Sequence, residues 1–490
     1  MLRSHGFETG TSRTALVVGL VLLILVALSI SFVVGRDEIL ALYAIVGVGI
    51  FIFAYLNTNF GLSVLLLSML LSPEFSVGGA GGLGQMAQRN VVIRIDDVVL
   101  GLITVSWLTK IAINKELGLF IRTPLNRPIY FYLAASLVST MIGVFNNDVR
   151  PLIGVLYLVK YFQYFLIFLM VSAQVQSLKD ADRYIRLMLV TAALVSIYAI
   201  IQIPTGVRVS APFEGESGEA NTLGGYLVVM MSLVIGLMTG TNSIRKLAGY
   251  MMLLTLMAVP FAYTLSRSSW IAILPAILAI LLYSPLRRYV IVGLLAVAII
   301  LPLIMPATVY ERINYTFSQT NTLRSDVVEL GDTALDPSTS ARLISWVSTL
   351  KQWTEKPVFG WGVTGAGFKD AQYFRVLVET GILGFLAFMW LLWTLQRFAV
   401  KQLYDLNPSK YPRYHGIVVG FIAGFWGLLV HGVGANTFII VRIMEPFWFL
   451  AAIVWLLPEL IRREEAKKEA AVELDRDTLV ALGIDPGLAK

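Results

Sequence analysis

Roughly fourteen apolar stretches follow one another along this chain, each near the ~20 residues a helix needs to cross a bilayer, and one long polar insertion over 306–376 breaks the series. The stretches dictate a chain threaded through lipid. The insertion adds a module that such a chain does not need merely to hold itself there. Composition excludes a soluble globule: of 490 residues, 57% are hydrophobic and 14% charged, too little polar surface to coat that length. The pattern predicts an all-α polytopic membrane protein of about 12–14 transmembrane helices. It divides into an N-terminal bundle over 1–305, a large outward loop with an amphipathic helix over 306–376, C-terminal helices over 377–460 and a charged tail over 461–490. Two spans, 60–71 and 270–283, are short. The first, 14–34, is too long for a signal-peptide core and is expected to remain as an anchor.

The formal charge of +7 does not describe a nucleic-acid surface, because the basic residues sit in short clusters between apolar runs. Sorted by the positive-inside rule, those clusters orient the chain. One set of loops carries Lys110, Lys115, Arg122, Arg127, Lys179, Arg183, Arg186, Arg245, Lys246, Arg397, Lys401, Lys410 and Arg413. The opposite set holds only Arg36, Arg89, Arg94, Arg150, Arg208 and Arg267. Both termini are therefore expected in the cytoplasm and the 306–376 insertion outside. With no cysteine there is no disulfide, thiolate metal site or thiol nucleophile. The three histidines, His5, His415 and His431, are too far apart in sequence to suggest a metal cluster.

Within the insertion, residues 342–355 place Leu343, Trp346, Val347, Leu350 and Trp353 at helical spacing on one face, with Ser338 or Ser340 after Pro337 as N-cap. Such a helix is expected on the membrane surface or against the bundle, its aromatic face inward. Gly360-Trp361-Gly362-Val363-Thr364-Gly365 formally matches G-x-G-x-x-G, but no strand of a βαβ unit precedes it, so it reads as a glycine-rich turn returning the chain to the membrane. That turn leads to Asp370-Ala371-Gln372-Tyr373 and then Glu379-Thr380-Gly381. Glu379 lies roughly 14 Å along a helix from Asp370, at or below the interface. An ionisable group at such depth costs about 2.5–3.5 kcal/mol at the bilayer centre and faces the protein or a wet cavity. Lys160 repeats the anomaly, and Arg442 and Glu445 are expected to pair across one turn. Arg208 and Arg267 stand at outward span ends against the charge bias. They fit either structural pairing or a bidentate phosphate clamp.

In the order Arg208, Glu219-Ala220-Asn221, Leu265-Ser266-Arg267-Ser268-Ser269-Trp270, Arg342, Trp346, Pro357-Val358-Phe359-Gly360-Trp361-Gly362, Asp370-Ala371-Gln372-Tyr373 and Glu379-Thr380-Gly381-Ile382-Leu383-Gly384, the chain resembles the O-antigen ligase and polymerase superfamily. Upstream, the likeness extends only to the span pattern and Arg94-Ile95-Asp96-Asp97. The resemblance implies a multi-span fold of the GT-C type and metal-independent, inverting glycosyl transfer on the periplasmic face of a bacterial inner membrane. It implies no cofactor. The donor would be a glycan on undecaprenyl diphosphate, with Arg208 and Arg267 holding the diphosphate. Asp370 and Glu379 are the catalytic candidates, with Arg342, Gln372, Tyr373 and Lys160 as further site candidates.

The chain departs from the family in one motif. Ligases of the family carry His-Asn where this chain has Asp370-Ala371, which favours a polymerase-like or exopolysaccharide-assembling member over a ligase to lipid A core. The acceptor is a glycan, lipid A core or a protein hydroxyl, and membrane lipids surround the chain. A protein oligosaccharyltransferase would use the same donor clamp. A flippase for lipid-linked glycans is the non-enzymatic alternative, against which stand the single large outward loop and the lack of a detectable repeat.

Overall fold

Hydrocarbon offers a backbone N–H or C=O no partner, so a chain crossing it closes its hydrogen bonds within its own helices. The computed structural model follows that rule. It describes residues 38–77, 91–113, 122–214, 218–285, 337–367 and 369–481, together with 291, 310–311, 329–330 and 333–334. The helices among them are α1 (Glu38–Leu56), α2 (Thr58–Leu71), α3 (Ile95–Ile113), α4 (Asn126–Phe145), α5 (Pro151–Gln174), α6 (Leu178–Gln202) and α7 (Ala220–Thr239). They continue with α8 (Ile244–Tyr263), α9 (Arg267–Tyr283), α10 (Pro337–Glu355), α11 (Gln372–Tyr404), α12 (Pro412–Gly434) and α13 (Val441–Ala481). Two short antiparallel ladders stand beside the helical bundle. One pairs β1 (Glu74–Val77) with β2 (Val91–Arg94), Glu74 opposite Arg94, and the other pairs β3 (Glu329–Leu330) with β4 (Thr333–Ala334).

Eight of the described helices, α4 to α8 and α11 to α13, are long and apolar enough to cross a membrane. The spans expected to be short stay short, as α2 and α9. The expected spans over 14–34 and 290–305 fall outside the described residues, apart from 291. Local chemistry sets many helix starts. Ser177 accepts a hydrogen bond from the Asp180 amide ahead of α6, and Pro151 and Pro412 open α5 and α12, where a missing N–H costs nothing.

Burial divides the bundle into centre and rim. In α7, α12 and α13 most of the spanning window is enclosed, whereas only 11% of that of α8 is. Without a water-driven hydrophobic effect between helices, close packing holds the centre together, and small residues permit it. A Cβ on Gly236 of α7 would meet the Gly416 carbonyl of α12 at 2.2 Å, so these two backbones nearly touch. Larger rings fill the space around α13: Trp448 packs edge-on against Phe165 and Phe168 of α5, while Phe447 stacks on Phe421 and Phe425 of α12.

The helix of the insertion differs from expectation in two ways. It starts at Pro337, so Ser338 and Ser340 lie inside the first turn instead of capping it; a proline's fixed φ suits the first helical position. Its apolar face is also split. Trp346 stacks on Phe374 of α11 at 5.1 Å, but Ile344, Val347 and Leu350 remain exposed, an apolar strip facing away from the bundle.

Candidate functional site

The turn between α8 and α9 organises one end of the bundle. α8 stops after Pro260, Leu265 takes a positive φ of 49°, and Ser266 caps α9 by accepting from the Ser269 amide at 3.3 Å. Arg267 is then the first helical residue. The strand-like segment after α6 lies against this turn, with the Val209 amide on the Tyr263 carbonyl. It delivers Arg208, whose Nε donates to the Thr264 carbonyl at 2.9 Å and whose Nη2 donates to that of Leu265 at 3.3 Å. Two arginines far apart in sequence thus belong to one turn, at the positive end of the α9 dipole, Arg208 by its guanidinium and Arg267 by its backbone.

Beneath this turn runs a buried chain of hydroxyls and amides. Asn221 Oδ1 accepts from Ser266 Oγ at 2.7 Å, and Ser266 Oγ lies 2.8 Å from Ser269 Oγ. Ser269 Oγ in turn meets His431 Nε2 at 3.1 Å, and His431 Nδ1 meets Thr437 Oγ1 at 2.7 Å. With Ser266 donating to Asn221 and Ser269 to Ser266, the Ser269 oxygen is left to accept from Nε2–H, which makes Nδ1 the acceptor of the Thr437 hydroxyl. His431 has no exposed surface and both ring nitrogens are used. It therefore positions the serines of the turn and cannot reach a substrate. Sequence reasoning missed it, because its partner Ser269 lies 162 residues away.

The same C-terminal end of α12 holds the segment before α11. Asn436 Nδ2 donates to the Lys369 carbonyl, the Phe438 amide donates to Gln372 Oε1 at 3.0 Å, and Tyr373 donates its hydroxyl to the Leu429 carbonyl at 2.6 Å. Gln372 and Tyr373 are thereby fasteners, both turned into the protein. Asp370 stays partly open and faces Arg342 of α10, Nε to Oδ2 3.8 Å. Partial burial holds the neighbouring Lys369 ammonium below its usual pKa. Asp370 does not cap the entering helix, since Ala371 occupies the N-cap position.

Glu379 has a different setting. Gly381 adopts φ 64° and ψ −170°, which interrupts α11 and leaves carbonyls one turn earlier without helical partners. The glycine-rich loop supplies those partners: the Trp361 amide donates to the Val378 carbonyl at 3.0 Å, and that of Gly362 donates to the Glu379 carbonyl at 2.8 Å. The formal G-x-G-x-x-G is thus a docking surface for a broken helix. The Glu379 carboxylate is buried and accepts from Arg375 Nε at 3.0 Å and from the Thr364 amide at 3.1 Å. It does not join Asp370.

Lys160 belongs to a third cluster, 3.6 Å from Asp97. Gln163 Nε2 donates to both Asp97 and Glu445, at 2.7 and 2.8 Å, while Arg94 pairs with Asp96 at 2.7 Å. The expected Arg442–Glu445 pair is replaced by better partners across the bundle. Arg442 turns to Glu214 at 3.8 Å and to the Leu70 and Ser72 carbonyls, and Glu445 turns to Gln163. Oxygens of Asp96, Asp97 and Glu445 lie within 4.8 Å of one another, a spacing a cation can bridge, although Arg94 and Lys160 already bring two positive charges there.

A bundle in which eight of the described helices are long and apolar enough to cross a membrane defines a polytopic membrane protein. A family model described as O-antigen ligase matches residues 252–389, which contain Arg267, Arg342, Asp370 and Glu379. Over that stretch, a little over a quarter of its length, the chain is similar to the O-antigen ligase family. Among curated proteins, nothing matches.

Proposed function

We propose that this protein transfers a glycan from undecaprenyl diphosphate to an acceptor hydroxyl, on the periplasmic face of a bacterial inner membrane, to build a surface polysaccharide. The observation that carries the reading is the shared turn: the carbonyls of Thr264 and Leu265 hold the Arg208 guanidinium on the turn whose next helix opens with Arg267. Planar guanidinium groups meet diphosphate oxygens in pairs and stay charged. In the transfer, the acceptor oxygen attacks the anomeric carbon as the bond to the diphosphate breaks, inverting that centre in one displacement. The departing diphosphate takes up the electron pair, and Arg208 and Arg267 stabilise its growing charge. Asp370 accepts the acceptor proton, and Arg342 orients it. Arg375 and Glu379 brace the loop that sets Asp370. The absence of the family's His-Asn pair favours a glycan acceptor, hence a polymerase-like reaction, over transfer to lipid A core.

The test is mass spectrometry of products formed by the purified protein from a lipid-diphosphate-linked glycan with glycan, lipid A core or peptide acceptors. Extended glycan is the expected product. Its formation in EDTA should equal that without chelator, since arginines meet the diphosphate charge. Loss of transfer in EDTA, restored by magnesium, would instead point to the Asp96, Asp97 and Glu445 carboxylates. Arg267→Lys should raise the donor Kd about tenfold, because an ammonium replaces the fork with a point charge; an unchanged Kd would remove the clamp. The orientation is checked with single cysteines, which this cysteine-free chain accepts without background. A cysteine at Thr333 should label from outside and one at Ala466 only from inside; the reverse would turn the whole scheme over.

A further inference from the structure

α8 spans 20 residues, about 30 Å, so its start lies at the other end of the bundle from the arginine turn. There the polar loop after α7 meets the beginnings of α8 and α12 around a cavity of about 250 Å³. Thr241, Asn242, Ser243, Lys246, Tyr250 and Arg413 line it, with no carboxylate among its lining residues. Arg413 gives its Nε to Asp182 at 3.0 Å, which fixes the plane of its guanidinium. Lys246 makes no ion pair among the described residues. Ser243 precedes α8 but its hydroxyl does not cap the helix, so it remains available to a ligand. A cavity lined by the Lys246 ammonium, the remaining edge of the Asp182-held Arg413 guanidinium and hydroxyls suits a phosphate group.

What surrounds the cavity narrows the ligand further. α8 is the most exposed of the spanning helices, and Ile244, Met251 and Met252 on it are 76%, 54% and 74% exposed. Their spacing of seven and eight residues puts them on one face, an apolar stripe running along the membrane from the level of the cavity. A free phosphate has no use for that stripe, whereas acyl chains do. Basic pockets between spanning helices at the positively charged face are where anionic headgroups bind.

We propose that this cavity binds the phosphate of an anionic phospholipid, whose acyl chains lie along the exposed face of α8. Lys246 and Arg413 contact the phosphate, Ser243 and Asn242 hydrogen-bond the headgroup, and the lipid joins α7, α8 and α12 at this end.

Native mass spectrometry of the full chain in detergent tests this, with dioleoylphosphatidylglycerol as the probe. Dioleoylphosphatidylcholine and inorganic phosphate form separate arms. Phosphatidylglycerol should give retained adducts and phosphatidylcholine few, with inorganic phosphate failing to displace the lipid. Lys246→Gln should weaken phosphatidylglycerol binding about fivefold, as expected for one basic residue at an anionic headgroup, and Lys246→Glu should weaken it more. Arg397→Gln, at an exposed basic residue of α11 outside the cavity, should bind as the parent does. Lys246 is exposed, so its variants should fold normally. Parent-like binding by Lys246→Glu, an equal loss in Arg397→Gln, or displacement of the lipid by inorganic phosphate would each overturn the proposal.

Discussion

Asp370→Asn should slow glycan transfer by roughly 10²–10⁴-fold while leaving donor binding near that of the parent protein, the signature of a lost general base. Asparagine keeps the volume and places a carboxamide oxygen beside Arg342, so the variant removes proton acceptance and the charge facing Arg342. Arg342 stands 3.8 Å from the carboxylate. The proposed base relies on being held against the acceptor. The change leaves the helix cap untouched, since Ala371 fills that position. Single-turnover rates and a donor titration separate the two effects. A variant with parental turnover would show that Asp370 takes no proton. His431→Gln offers the contrast: the buried ring orders Ser269 and Ser266, so its loss should fall on donor binding and stability more than on the chemical step.

Gly381→Ala should be the most damaging single-methyl change in the described structure. The residue sits at φ 64° and ψ −170°, a region open to glycine and nearly closed to other residues. An added Cβ would stand 2.2 Å from the Val358 carbonyl and 2.6 Å from the Phe359 amide nitrogen, both backbone atoms that cannot step aside. Backbone strain and overpacking together should cost at least about 3 kcal/mol. We expect a sharply lower Tm in detergent and poor recovery of folded protein. Gly249→Ala on α8 is the matched control, because nothing lies within 4 Å of its added methyl, and it should be neutral or slightly stabilising. Equal Tm values for the two variants would mean that the helix break does not need glycine.

The spans were legible because lipid enforces a length and a composition that few other environments do. Arg208 and Arg267 stood out in the sequence for the converse reason, as cations against the charge bias, and the structure brings Arg208 onto the turn before Arg267. Other features hide in pairings that no local spacing contains. Ser269 and His431 meet across 162 residues, and neither is unusual in its own stretch. Arg375 and Glu379 were readable in principle, as opposite charges four residues apart on one helix, yet the carboxylate alone suggested chemistry. Arg442 and Glu445 show the opposite failure. Their spacing invited a pair, but in a crowded centre each is held by groups from other parts of the chain. The split face of α10 was hidden as well, since periodicity says which residues share a side and not which neighbour covers them.

The glycine-rich loop is fastened partway along α11, at the carbonyls of Val378 and Glu379, and not merely joined to its end. Its far end is tied to the end of α12 at Lys369 and Gln372, so loop and helices form one braced unit that carries Asp370. Where α11 crosses α4, Ser139 of α4 lies 2.6 Å from the Glu379 carbonyl. A change at that one crossing should therefore be felt at Asp370 through the loop's backbone, with the loop's own sequence untouched.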